Sequence, residues 1–136
     1  PPVKVFVSRL VGRVIPFLPV GNELEPEKLS SDPEFQEKTR RDPLYNHVTT
    51  PRWFTETMAV QEEVIRRASE ITAPILMLQA GADTIADPEA ARQVFDAFTS
   101  RDKTFEIFEG FKHELFMERG RERPMHALFE WIDARL

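Results

Sequence analysis

Residues 74–83, PILMLQAGAD, place the tightest constraint on how this chain can fold. Pro74 to Leu78 is an unbroken apolar run, and it ends in small residues followed by an aspartate. Such a run, bounded by turn signals, predicts a strand over 75–79 that is buried on both faces. Strands of that type belong to parallel sheets covered by helices, so a second strand and flanking helices are required. The alternating stretch KTFEIF, residues 103–108, supplies the second strand over 104–108. Between the two, Asp87-Pro88 is an N-cap followed by proline at the first helical position, which predicts a helix from Glu89 to about Phe98. Residues 109–113 form the next loop, and Glu114 to Leu136 is mostly helical, with interruptions near Gly120 and Pro124. The resulting order, helix–strand–helix–strand–helix, predicts an α/β fold with two parallel strands and flanking helices.

The residues before that region follow a different pattern. Val3, Phe6, Val7, Leu10, Val11, Val14 and Ile15 recur at helical spacing, with Lys4, Arg9 and Arg13 on the other faces, until Pro16 and Pro19 end the pattern. Residues 19–27 read as an irregular loop. Asp32-Pro33 opens a short helix toward Arg41, and Thr50-Pro51 repeats the device for a longer helix to about Ser69. Phe54, Met58, Val64, Ile65 and Ala68 are the expected buried stripe of that helix. The turn-rich stretch 41–50, RDPLYNHVTT, suggests a boundary, with a helical region over 1–50 and the α/β part over 51–136. Two parallel strands make too small a sheet. The chain also opens on Pro1-Pro2 without an initiator methionine. Both features predict that further strands lie in polypeptide outside these residues.

Composition narrows the chemistry. The net charge is 18 − 23 = −5, mixed in sign along the chain, which argues against a nucleic-acid binder. Without cysteine there is no disulfide, thiolate nucleophile or cysteine-based metal site. The three histidines are far apart and match no metal-binding spacing, so neither a metal nor another cofactor is expected. No apolar run reaches the roughly 18–20 residues of a membrane span, and the expected location is the cytoplasm.

In open α/β sheets, functional groups gather on loops at the carboxyl ends of strands. Loop 80–87 carries Asp83 and Asp87, and loop 109–113 carries His113. Parallel neighbouring strands would bring these loops to one sheet edge. A carboxylate there could accept the Nδ1 proton of His113 and leave Nε2 to act as a base. Asp87 is better employed capping the helix that starts at Pro88, so Asp83 is the preferred partner. Taken alone, an aspartate in a glycine-containing turn is commonly a turn former, and a lone loop histidine is commonly a bystander. The chain supplies no nucleophile in the expected setting. Serines stand at 8, 30, 31, 69 and 100, and none occupies a G-x-S-x-G turn between strand and helix.

The segment ITAPILMLQAGADTIADPEAARQVFDAF, followed by DKTFEIFEGFKHELFME, resembles the C-terminal portion of α/β-hydrolases of the monoacylglycerol lipase, lysophospholipase and serine aminopeptidase-like group. In that group a buried strand leads to a G-x-A-D-x-x-x-D loop, and a later strand leads to a G-x-x-H-E loop. Here Gly81-Ala82-Asp83 with Asp87, and Gly110 with His113-Glu114, take those places. Upstream, LSSDPEFQEKTRRDPLYNH is similar to the group's cap insertion. The resemblance implies a helical cap region over 1–50 and the C-terminal part of the core over 51–136. It also implies Asp83 as the triad acid, His113 as the triad histidine, and monoacylglycerols, lysophospholipids or similar small esters as substrates. The group's N-terminal half, with the serine elbow and oxyanion loop, is missing, so this chain alone is expected to be inert. Glu114 is expected to start the last helix and not to serve as a second acid. Residues 3–18 are expected to form a cap helix, with peripheral membrane contact as the competing reading. The alternatives are an inactive fragment or interaction module using its unpaired strand edge, and an α/β-hydrolase of other chemistry, such as an amidase, haloperoxidase or epoxide hydrolase.

Overall fold

The apolar run folds as a strand over Ile75–Ala80 and pairs in parallel with Lys103–Phe108 in the computed structural model, which describes residues 11–136. In chain order the elements are β1 (Val20–Gly21), α1 (Pro26–Leu29), α2 (Pro33–Arg41), β2 (Val48–Thr49), α3 (Pro51–Arg67), β3 (Ile75–Ala80), α4 (Pro88–Ala97), β4 (Lys103–Phe108) and α5 (Glu122–Asp133). Short 3-10 turns occupy Ala68–Glu70 and Leu115–Met117. The chain divides into two units. One runs up to Leu24 and resumes over Asn46–Arg67, and the other comprises Glu25–Tyr45 and Ala68–Leu136. Residues 25–45, which the sequence places with the cap, therefore pack in the unit that contains the parallel strands.

That second unit is layered around β3 and β4. The register runs from Ile75 opposite Lys103 to Ala80 opposite Phe108. Because side chains alternate along a strand, Phe105 and Phe108 leave β4 on opposite faces. Phe105 meets Phe95 of α4, with ring centroids 5.1 Å apart, and the Arg92 guanidinium lies 3.9 Å from the Phe105 ring centre. On the other face Phe108 joins Ala80, Phe111 and Leu115 in a buried cluster, against which Leu78 and Ala127 of α5 pack. Helices thus cover both faces, as a parallel pair requires.

Each end of α4 is closed by one polar side chain. Asp87 accepts from the Glu89 amide at 3.0 Å, with Pro88 in the first turn. At the other end the Lys103 ammonium donates to the carbonyls of Phe95, Asp96 and Phe98 at 2.9, 3.2 and 2.8 Å. Carbonyls in the last turn of a helix lack the next turn's amides, and here the Phe95 carbonyl also accepts from the Phe98 amide at 3.2 Å. The cation sits at the negative end of the helix dipole. The far end of α5 is tied to the start of β4 by Arg135, which pairs with Asp102 and lies 3.7 Å from the Trp131 ring centre.

The first unit holds the antiparallel pair β1–β2, Val20 opposite Thr49 and Gly21 opposite Val48. It also holds α3, whose start is capped by Thr50 Oγ1 accepting from the Trp53 amide at 3.1 Å. Half of the expected helix over 3–18, residues 3–10, lies outside the described residues. Its described remainder is helical over 11–14.

Three expectations change. Residues 19–27, read as a loop, contain β1 and the start of α1. Two-residue strands leave no periodic trace, because their pairing partner is remote in sequence. The region after His113 is not one interrupted helix but a 3-10 turn followed by α5, and Gly120 at φ +84° separates them. Pro124 falls in the first turn of α5, where its missing amide costs no hydrogen bond, so it does not break the helix. The burial pattern also differs. Ala68 is buried, but Val64 and Ile65 are 44% and 58% exposed. Ile75 to Leu78 are half-buried, because β3 pairs with β4 alone among the described residues and its other edge is open.

Replacing Lys103 by methionine keeps the stem and removes the cap on α4. It should lower stability by about 1–2 kcal/mol, read as a lower urea midpoint by circular dichroism. An unchanged midpoint would show that the three carbonyls are equally well served by water.

Candidate active site

The ladder between β3 and β4 does not stop where the strands end. The Gly81 amide donates to Phe108 O at 2.9 Å, and the Ala82 amide donates to Phe111 O at 2.9 Å. The loop after β3 is thereby stitched to the loop after β4. Two glycines make this possible. A Cβ on Gly81 would come within 2.8 Å of a Glu109 carboxylate oxygen and 3.0 Å of the Glu109 Cα, so only glycine allows the close approach. Gly110 turns the second loop at φ +78°, a left-handed conformation that favours glycine. One residue beyond the last loop-to-loop bond comes Asp83, and two residues beyond its partner Phe111 comes His113.

Those two side chains meet. His113 Nδ1 lies 2.9 Å from Asp83 Oδ2. The other carboxylate oxygen, Oδ1, accepts from the amides of Ile85 and Ala86 at 2.8 and 2.9 Å. The Asp83 side chain is 3% exposed and that of His113 is 35% exposed, so the acid is enclosed and the imidazole still reaches solvent. Burial acts to raise the Asp83 pKa. Hydrogen bonds from the Ala86 amide, from His113 and from the Ile85 amide act the other way, together with the charge His113 can carry. The balance lies below the ordinary aspartate value, so the carboxylate is ionised at neutral pH. An ionised acceptor at Nδ1 favours the tautomer with its proton on Nδ1, leaving Nε2 with a lone pair. The arrangement can take up a proton at Nε2 and stabilise the resulting imidazolium.

The structure separates the two aspartates that the sequence brought into competition. Asp83 faces His113, whereas Asp87 caps α4. Glu114 lies just before the 3-10 turn and is exposed, and its amide donates to Leu29 O at 2.8 Å. Among the described residues no serine bonds to the imidazole. Ser30 Oγ donates to Met117 O at 2.7 Å, Ser31 bonds to Glu118, and Ser100 Oγ donates to Asp102 O at 3.0 Å. Ser8 lies outside the described residues. Groups of histidine, aspartate and glutamate that could hold a metal ion are absent among the described residues.

Sequence reasoning missed the residues that hold the far side of the histidine loop. Glu118, 3% exposed, accepts from both the amide and the hydroxyl of Ser31, the latter at 2.7 Å. The Lys112 ammonium donates to Glu27 O at 2.6 Å. These pairs are 87 and 85 positions apart, and neither side carries a local signal that names its partner.

A family model described as serine aminopeptidase, S33, matches residues 1–120. A monoacylglycerol lipase of Mycolicibacterium smegmatis is 27% identical over 136 residues, which is 99% of this chain and 48% of that protein. Phospholipase YtpA of Bacillus subtilis is 26% identical over 127 residues, 93% of this chain and 49% of that protein. The crystal structure of a monoacylglycerol lipase from Paleococcus ferrophilus matches with a TM-score of 0.91 at 30% identity, covering 100% of this chain and 53% of that one. A soluble variant of monoglyceride lipase from Saccharomyces cerevisiae shares the fold, with a TM-score of 0.86 at 17% identity. The chain spans about half the length of the curated relatives it matches.

The depressed Asp83 pKa gives a stability prediction with a definite sign. Asp83 binds its proton less tightly folded than unfolded. Its contribution is therefore complete above the ordinary aspartate pKa of about 4, and it is lost as pH falls through the lower folded value. Thermal unfolding midpoints measured from pH 6 downward should fall less steeply below about pH 4 for Asp83→Asn than for the unaltered protein. Parallel slopes would contradict the ionised, hydrogen-bonded state.

Proposed function

The chain belongs to the serine aminopeptidase S33 family and shares the α/β-hydrolase fold of the monoacylglycerol lipases, and from that premise we propose that it supplies the acid and the base of a Ser-His-Asp triad. The complete enzyme is a carboxylic ester hydrolase acting on monoacylglycerols, lysophospholipids or similar small esters. Asp83 is the orienting acid and His113 the general base. The nucleophilic serine and the oxyanion-binding amides come from the N-terminal half of the hydrolase fold, outside these residues.

One observation carries the reading: an enclosed carboxylate 2.9 Å from Nδ1 of a half-exposed imidazole, at the carboxyl ends of adjacent parallel strands. In the proposed reaction Nε2 of His113 removes the serine hydroxyl proton as the oxygen attacks the ester carbonyl. The imidazolium, stabilised by Asp83, then returns that proton to the departing alcohol. Water repeats the sequence on the acyl-enzyme. This division of labour requires a buried acid and an accessible base, and the two exposures fit it.

Names of relatives support the ester class, since one is a phospholipase and others are monoacylglycerol lipases. Helices in the described residues are too short or too polar to cross a membrane. Contact with a lipid surface, where such substrates reside, is proposed to be peripheral, through the cap. Val14 and Phe17, 75% and 72% exposed, favour it.

Combined with its serine-bearing half, the chain should cleave a p-nitrophenyl ester, and His113→Ala should reduce kcat/KM by about a thousandfold or more. Full activity in that variant would remove His113 from the mechanism.

A further inference from the structure

We propose that Glu118 is a positioning residue for His113, acting through a clamp that fixes the backbone on the C-terminal side of the histidine loop. The inference rests on the triad reading above and extends it to a residue whose hydrogen bonds, among the described residues, go to Ser31 and not to Asp83 or the imidazole.

Among the described residues the imidazole is held at one nitrogen, by its bond to Asp83. The direction in which Nε2 points is therefore set by the backbone that carries the ring. On the N-terminal side that backbone is fixed by the bonds from Gly81 and Ala82 to Phe108 and Phe111. On the C-terminal side the chain enters a 3-10 turn over Leu115–Met117, which no strand among the described residues pairs with. That side is held by the connection between α1 and α2. Leu29 O accepts from the Glu114 amide at 2.8 Å, immediately after His113. Ser30 Oγ donates to Met117 O at 2.7 Å and accepts from the Asp32 amide at 3.0 Å.

Glu118 locks this connection in place. One of its carboxylate oxygens accepts from the Ser31 amide and the other from the Ser31 hydroxyl. A buried carboxylate is costly unless its oxygens are satisfied, and Ser31 satisfies both. The two-point bond fixes Ser31, which in turn presents Ser30 and Leu29 to the turn after His113. Ser30 is itself completely buried, and Gln36 of α2 donates to its carbonyl at 2.8 Å. A rigid support of this kind matters for a base, since small displacements of a reacting group carry large penalties in rate. It does not matter in the same way for substrate binding.

The test uses the complete hydrolase. Glu118→Ala should lower kcat for a small ester by about ten- to hundredfold with KM nearly unchanged. Glu118→Gln, which can still accept from the Ser31 amide, should recover most of the loss. The low-field proton resonance of His113 Nδ1 should broaden or vanish in Glu118→Ala and persist in Glu118→Gln. A Glu118→Ala protein that folds and keeps both its kcat and that resonance overturns the proposal, as does a rise in KM at constant kcat. Should Glu118→Ala fail to fold, Ser31→Ala decides, because Ser31 is exposed and the change removes one bond only. Reduced kcat at constant KM supports the clamp, and unaltered kcat overturns it. Failure of the triad reading shows separately, as an active His113→Ala enzyme, and the Nδ1 resonance then still reports on the clamp.

Discussion

The parallel pairing of Ile75–Ala80 with Lys103–Phe108 is the constraint on which the rest depends. Parallel strands end at the same edge, and here their hydrogen bonding continues into the two loops that follow. Register then does the work of placing chemistry. With Ala80 opposite Phe108, the third residue past one strand and the fifth past the other arrive at hydrogen-bond distance. A slip in register would turn every side chain of a strand to the other face and part the pair. The same pairing needs a cover on each face, which α4 supplies through Phe95 and α5 through Ala127.

Around the pair, polar groups are placed where helices and loops leave backbone atoms without partners. Lys103 closes the end of α4, Asp87 its beginning, and Glu118 with Ser30 and Ser31 the turn beyond His113. These contacts divide into local ones and remote ones. The local ones set where elements begin and end. The remote ones hold segments from residues 25–45 against the loop that bears the histidine, so the site is built by more of the chain than the two strand-end loops alone.

That division also explains what could be read from the sequence. The caps at Asp32, Thr50 and Asp87 were legible because each acts within three residues of itself. The two parallel strands were legible from an unbroken apolar run and an alternating one. Asp83 could be preferred over Asp87 because proline fixed the competing role of the latter. The β1–β2 pair was not legible, since two residues per strand carry no period. The exposure of Val64 and Ile65 ran against the helical stripe, because an amphipathic pattern names a face to be covered without naming the cover. Glu118 was invisible for a third reason. A charged residue near a helix reads as a solvated one until its partner, far away in sequence, is known.

The proposed chemistry depends on the state of one ring. An ionised Asp83 at Nδ1 requires His113 to carry its proton there and to leave Nε2 free, which is the form a general base needs. Two-bond proton–nitrogen correlation spectra of the imidazole, recorded at a pH where the ring is neutral, report the tautomer directly. The Nδ1-protonated form in the unaltered protein, lost on Asp83→Ala, is the predicted result. An Nε2-protonated ring in the unaltered protein, or a tautomer indifferent to Asp83→Ala, would contradict the account.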